Sequence, residues 1–204
     1  MADCDRFQGR QDSDLAAFDV AELQHLDAGS WFYREDPFEQ IAAGRVTSPP
    51  ASDQHQPIPI LAEALKVIAD IGVMVNIELK CLSTDADDSL DRVVNDIQAA
   101  GLVQGSLVSA FDHSILRQLK VRYPALATAA LVEDSHPDMM LDYLADLGVA
   151  GYHVHEQLAT SSLINTLRDA GLFVGVYTVN DAARKRALLS AGVGAVITDF
   201  LDET

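Results

Sequence analysis

The sequence predicts a parallel α/β fold of the TIM, or (β/α)8, type, and three observations carry that reading. Short apolar strands recur at a near-constant spacing of about 22 residues, the length of one strand, one helix and two short loops. The segments between them are amphipathic at helical spacing. Each of these helices runs into a glycine followed by an apolar residue, as in Asp70-Ile71-Gly72-Val73, Ala99-Ala100-Gly101-Leu102, Asp146-Leu147-Gly148-Val149, Asp169-Ala170-Gly171-Leu172 and Ser190-Ala191-Gly192-Val193. Glycine just past a helix end adopts the left-handed conformation at little steric cost. A doubly wound open sheet is the other architecture such units build. The regular period favours the barrel, and the chain has no G-x-G-x-x-G or Walker-type loop.

In chain order, residues 1 to about 57 do not follow the period. They hold one helix-like piece near Val20–Leu26 and an irregular stretch from Gly29 to Pro59, with Thr47 to Asp53 reading as an exposed loop. A helix opens after Pro57-Ile58-Pro59, with Leu61, Leu65 and Ile68 on one face. Strands follow near Val73–Lys80, Ser106–Ala110, Thr128–Val132, Gly151–His155, Phe173–Tyr177 and Ala195–Thr198. Leu163, Leu167 and Ala170 form the apolar face of the helix before Gly171, and Asn180 or Asp181 caps the next. No linker divides the chain, so residues 1–204 read as one domain: 1–57 irregular and insertion-like, 58–204 built of βα units.

Composition narrows the function classes. Of 204 residues, 49% are hydrophobic and 22% charged, which suits a water-soluble domain with a sizeable core. No apolar run approaches the length that spans a bilayer, and the first residues lack a signal-peptide pattern. A net charge of -17 argues against nucleic acid and anionic membrane surfaces as partners. Two cysteines, Cys4 and Cys81, fit a reducing, cytoplasmic compartment without a disulfide framework, and neither has a second ligand at zinc spacing.

The stretch Val75-Asn76-Ile77-Glu78-Leu79-Lys80 is the most informative. Alternation puts Asn76, Glu78 and Lys80 on one face. In a parallel sheet covered on both sides, that face must be paired or line a pocket. Active sites of βα barrels lie at the C-terminal strand ends. That rule selects Glu78 and Lys80; Ser109 and Phe111; Glu133; His153 and His155; Tyr177, Thr178 and Asn180; and Thr198 and Asp199. A carboxylate beside a lysine suits a hard divalent cation next to a phosphate. Each has a plainer reading. Glu78 and Lys80 can simply pair, His153 and His155 can pack, His113 fits a capping region, His136 an exposed loop, Tyr177 the core, and Asp199 a cap.

With those residues in hand, the chain resembles the glycerophosphodiester phosphodiesterase family along nearly its whole length. Asp5-Arg6-Phe7-Gln8-Gly9 is similar to the family's D-R-x-x-G. Glu22-Leu23 with Leu26-Asp27-Ala28-Gly29-Ser30-Trp31-Phe32 resembles E-L-x-x-L-D-A-G-x-W-F, and Ile58 to Leu65 resembles I-P-T-L-x-E-x-L. Asn76-Ile77-Glu78-Leu79-Lys80 resembles N-I-E-I-K, and Ser109-Ala110-Phe111-Asp112 resembles S-S-F-D. Tyr177-Thr178-Val179-Asn180 resembles W-T-V-N with Tyr for Trp, and Gly192 to Asp199 resembles G-V-D-G-I-I-T-D. Another phosphate-binding barrel enzyme would explain the period but not these strings in order.

The resemblance implies hydrolysis of glycerophosphodiesters to an alcohol and glycerol 3-phosphate with Ca²⁺ or Mg²⁺. It implies Glu78 as a metal ligand, Lys80 as the catalytic group on the phosphate, and Phe111, Tyr177 and Asn180 as substrate-binding residues, the two rings on the glycerol side. The family's H-R-G, P-E-N-T and E-x-D strings and a further histidine are not found here. The expectation is therefore a barrel lacking its first βα unit and second strand, with a short insertion near the N-terminus. Such a chain should hold its cation weakly if at all, show little or no activity, and expose a sheet edge open to self-association. A non-catalytic binding or interaction module is the alternative.

Overall fold

The computed structural model describes residues 17–30, 35–36, 39–46, 55–80 and 86–200. The strings Asp5–Gly9 and Trp31-Phe32, the loop Thr47–Asp53, and Cys4 and Cys81 lie outside the described residues. The chain forms two compact units, Met1–Ala64 and Leu65–Thr204.

In the first unit, helix α1 spans Val20–Gln24. Asp19 and Glu22 form a capping box, with the Asp19 N–H donating to Glu22 Oε2 at 2.8 Å. Asp27 organises the turn that follows. Its carboxylate accepts from the backbone N–H groups of Gly29 (3.1 Å), Ser30 (2.9 Å) and Gln56 (3.2 Å), and from the Ser30 hydroxyl. The Ser30 hydroxyl in particular holds the Asp27 carboxyl well below the usual range. The Asp-Ala-Gly-Ser string thus has a structural reason: it closes a turn bridged antiparallel to Pro57.

Helix α2 (Leu61–Ile71) leads out of this region, with Leu65 buried and Leu61 and Ile68 half-buried, the face expected. The second unit then runs β1 (Val75–Glu78), α3 (Ala86–Ala99), β2 (Ser106–Ala110), α4 (His113–Arg122), β3 (Ala127–Val132), α5 (Met140–Leu147), β4 (Gly151–His155), α6 (Ser161–Asp169), β5 (Phe173–Tyr177), α7 (Ala182–Ser190) and β6 (Ala195–Val196). The six strands are parallel and lie in sequential order, each paired with the next. Sequential order is that of a barrel; a doubly wound sheet reverses direction at a switch point. Gly72, Gly101, Gly148, Gly171 and Gly192 all have φ between 67° and 92°, so the recurring Gly-apolar pair marks left-handed helix ends.

Two faces of the sheet carry different residues. Val108, Ala110, Tyr152, Val154, Val174 and Val176 are at most 1% exposed and belong to one face. Helix α4 packs on β2 and β3, α6 on β5, and α7 on β6. The other face carries Ser109, Ala129, Gly151, His153 and Gly175, also buried.

Several boundaries differ from the sequence reading. β1 ends at Glu78, so Lys80 lies two residues past the strand. Among the described residues β1 is also an edge strand: Asn76 and Glu78 are exposed and Met74 is 77% exposed, so it is not covered on both faces as a central parallel strand would be. β6 is short, although its hydrogen bonding continues through Ile197, whose N–H donates to the Val176 carbonyl at 2.9 Å. On α6 the buried residues are Ile164 and Leu167; Leu163 borders them, and Ala170 is exposed because it is the C-cap, where the helical repeat has ended.

Candidate active site

The polar face of β1 does both things that physics allows it: it pairs, and it lines a cavity. Lys80 Nζ lies 3.4 Å from Glu78 Oε1. Both border a cavity of about 490 Å³ at the C-terminal strand ends, with Asn76, Phe111, Leu131, Glu133, Tyr177, Thr178 and Ile197 completing its lining. Residues from β1, β2, β3, β5 and β6 share this one space. A flat six-stranded sheet would hold its outer strands some 24 Å apart at about 4.8 Å per step, so the sheet is curled.

Register explains the gathering. Glu78 is opposite Ser109, which places Phe111 two residues further on the same face. Leu131 pairs with His153, and His153 with Gly175; His155 pairs with Tyr177. Continuing the first row by one step brings Glu133 beside His155. Curling then brings the Phe111 and Tyr177 rings together, centroids 6.0 Å apart and planes at 90°. His155 stands edge-on to Tyr177 at 5.9 Å.

Tyr177 is both wall and brace. Its ring lines the cavity, while its hydroxyl donates to the Val132 carbonyl at 2.6 Å. Burial raises its phenol above the ordinary value, and the Glu133 and Glu78 carboxylates add to the rise. The site is therefore acidic around this ring. The Tyr-for-Trp difference places a hydroxyl in the scaffold, not in the cavity.

Of the residues selected from sequence, Glu78, Lys80, Phe111, Tyr177, Glu133 and Thr178 share the cavity. Asn180 is not among its lining residues. The Asn180 amide donates to Asp199 (2.8 Å) and accepts from the Thr198 hydroxyl (3.1 Å) and the Asp199 N–H (3.0 Å), joining the loops after β5 and β6. His113 begins α4, where Asp112 is the cap; its Nε2 donates to the Leu131 carbonyl (3.0 Å), and Tyr143 contacts its Nδ1 (2.8 Å). His136 is half-buried against the Tyr152 hydroxyl at 3.1 Å. Asp181 caps α7 through the Arg184 N–H at 2.7 Å. His153 is 2% exposed with neither ring nitrogen hydrogen-bonded among the described residues, and burial pushes its pKa down to about 4. Asn76, on the polar face of β1, together with Leu131 and Ile197 completes the lining; the last two were not selected, since an apolar residue near a strand end carries no chemical signal. Register with His153 and Tyr177 was the only clue.

A hard divalent cation wants six or more oxygens. Glu78, Glu133 and Asn76 offer oxygens at the cavity, but the described residues contain no group of three or more His, Cys, Asp or Glu able to hold a metal. These residues do not complete a cation site by themselves.

A curled, sequentially ordered parallel sheet with a cavity at its C-terminal edge defines a βα-barrel-type protein. The chain belongs to the glycerophosphoryl diester phosphodiesterase family, whose family model matches residues 3–203. It is 29% identical over 186 residues to a glycerophosphodiester phosphodiesterase of Bacillus altitudinis, covering 89% of this chain and 68% of that relative. Among solved structures, it resembles an Oleispira antarctica phosphodiesterase in complex with the product sn-glycerol-3-phosphate (27% identity, TM-score 0.72, 91% of this chain and 68% of that one). The fold is also that of a Silicibacter pomeroyi protein (22% identity, TM-score 0.76, 91% and 66%). The chain thus spans about two thirds of the length of these relatives. No described helix is long and apolar enough to cross a membrane.

Proposed function

We propose that residues 1–204 form one phosphodiesterase-like, cytoplasmic domain whose cavity binds a glycerophosphodiester and serves its hydrolysis to an alcohol and glycerol 3-phosphate. The observation that carries this reading is the Glu78–Lys80 pair, 3.4 Å apart, in one cavity with Phe111 and Tyr177. Lys80 neutralises a phosphate oxygen as a point charge. Glu78 lies within ion-pair reach of that ammonium and is the carboxylate toward a Ca²⁺ or Mg²⁺ ion, which when bound would polarise the phosphoryl group. Phe111 and Tyr177 give the glycerol arm an apolar wall. Asn180 acts on substrate only through the loops it ties together. The relative whose structure holds sn-glycerol-3-phosphate supports the same ligand here.

Among the described residues, none lining the cavity is a histidine. A positioned general acid or base contributes roughly 10²–10⁴-fold each. The 204 residues are therefore expected to bind glycerol 3-phosphate while turning over glycerophosphocholine slowly or not at all with added Ca²⁺ or Mg²⁺. Turnover at an ordinary enzymatic rate, abolished by Glu78→Ala, would overturn the inactive reading. Absence of glycerol 3-phosphate binding would overturn the site.

One observation favours the second reading, an interaction module. Among the described residues no ladder joins β6 back to β1, so both are edges of the sheet. Solution mass separates the two: edge pairing predicts a dimer or larger, and a strict monomer counts against it.

A further inference from the structure

Ser109 is 0% exposed, and among the described residues its hydroxyl has no hydrogen-bond partner. A buried polar group without a partner loses its hydration and gains nothing in return, so native chains rarely keep one without a use. Ser109 stands directly opposite Glu78 across the β1–β2 ladder, and the Leu79 N–H donates to the Ser109 carbonyl at 2.8 Å. Opposite residues of paired strands take the same face, and neighbouring strands run about 4.8 Å apart. A Glu78 side chain folded down over the strands therefore meets the Ser109 hydroxyl. Glu78 lines the cavity and Ser109 does not, so the hydroxyl belongs to the layer beneath the site.

The Glu78 carboxylate is turned elsewhere. Its Oε1 lies 3.4 Å from Lys80 Nζ, with both side chains partly open to solvent. An ammonium thus serves the carboxylate while the buried donor beside it serves nothing. The other unpartnered polar side chains of the sheet have no such neighbour in register. Ser106 stands opposite Val75. The His153 ring occupies the space where a Cβ on Gly175 would sit, so it leans toward β5 and away from β2.

We propose that Ser109 is a positioning residue for Glu78: when an anion draws the Lys80 ammonium away, the Ser109 hydroxyl donates to the Glu78 carboxylate and holds it at the strand end. The handover keeps every group partnered. Lys80 passes from carboxylate to phosphate, and the carboxylate passes from ammonium to hydroxyl. A carboxylate accepts at two oxygens, so one bond from Ser109 leaves the other oxygen for the cavity and for a cation there. No proton is transferred and no covalent bond forms. The handover deepens the reading above, since the phosphate at Lys80 comes from it, while the Ser109–Glu78 bond can be tested without a phosphate by removing the ammonium.

The experiment uses the full chain with ¹³C in its glutamate carboxyl groups. NMR compares the parent, Ser109→Ala, Lys80→Ala and the double variant without ligand, and calorimetric titration measures glycerol 3-phosphate affinity of the parent and Ser109→Ala. Ser109→Ala should leave the Glu78 carboxyl signal of the parent in place, because Lys80 holds that carboxylate away from the hydroxyl. In the Lys80→Ala background the same change should move the signal, a dependence on Lys80 that a merely structural serine would not show. Ser109→Ala should also weaken glycerol 3-phosphate binding by about tenfold, the scale of one hydrogen bond to a charged group, with its urea midpoint no lower than the parent's. A Glu78 signal that responds to Ser109→Ala equally with and without Lys80, or in neither case, overturns the proposal, and so does an unchanged glycerol 3-phosphate affinity in Ser109→Ala. A parent chain that binds no glycerol 3-phosphate overturns the phosphate reading instead, and the Lys80→Ala comparison then judges the Ser109–Glu78 bond by itself.

Discussion

Lys80 reaches back over the end of β1 to lie 3.4 Å from Glu78, although its side chain is 72% exposed and that of Glu78 only 30%. An exposed pair of this kind contributes roughly 0–1 kcal/mol to stability. The fold gains little from it, and the ammonium remains free to turn toward an incoming anion.

Lys80→Ala should therefore weaken glycerol 3-phosphate binding by about tenfold or more, the scale of one hydrogen bond to a charged group. Its thermal midpoint should stay close to that of the parent chain. Calorimetric titration and a thermal melt check the two halves. Unchanged affinity would remove Lys80 from the phosphate.

Gly175 should tolerate no side chain. A Cβ at this position would lie 2.6 Å from His153 Cδ2 and 3.0 Å from Cγ, inside a ring that is itself buried. Gly175→Ala is expected to destabilise by about 1–3 kcal/mol through overpacking. Combining it with His153→Ala should cost less than the two changes added, because the second removes the obstructing ring. Urea unfolding of the four proteins measures the coupling.

His153 should make the fold acid-sensitive. Its folded pKa, pushed down to about 4, lies below the ordinary 6.5, so the unfolded chain takes up the proton first. Its neutral, buried form is fully favourable above about pH 6.5. Stability then falls as the pH drops toward about 4 and loses nothing further to this group below that. The loss is about 3 kcal/mol. Unfolding free energies at a series of pH values, compared with His153→Leu, test this; an equal slope in both would assign the acid sensitivity to other groups.

Tyr177→Phe should separate brace from wall. It removes the 2.6 Å bond to the Val132 carbonyl and keeps the ring at the cavity. A loss of about 1 kcal/mol in stability is expected, with glycerol 3-phosphate affinity within twofold of the parent. A large loss of affinity would place the hydroxyl on the ligand.

Asn180→Ala removes three hydrogen bonds to Thr198 and Asp199. It should cost about 1–2 kcal/mol of stability, with ligand affinity falling less than for Lys80→Ala. The opposite order in the two assays would put Asn180 in direct contact with substrate.

Much of this protein was written locally. The Gly-apolar helix ends and the recurring spacing placed β4 (Gly151–His155) and β5 (Phe173–Tyr177) at their observed ends, because a helix stop and a strand length are local properties. The Gly-apolar pairs marked helix ends for the same reason: a left-handed residue is a local requirement. Boundaries slipped where the element depends on neighbours. β1 closes at Glu78, where among the described residues it pairs only with β2, and Ala170 fell off its helical face because α6 had already closed.

Sequence by itself determined the order of strands and helices, the sign of the charge, and the presence of Glu78, Lys80, Phe111 and Tyr177 at strand ends. Only the tertiary structure decided that Phe111, just after β2, and Tyr177, at the end of β5, meet at 6.0 Å, that the Tyr177 hydroxyl belongs to Val132, and that Asn180 joins two loops. The reason is that residue periodicity sets which face a side chain takes, whereas the curl of the sheet sets which faces converge. That curl is the summed twist and packing of many strands, and no single stretch of sequence contains it.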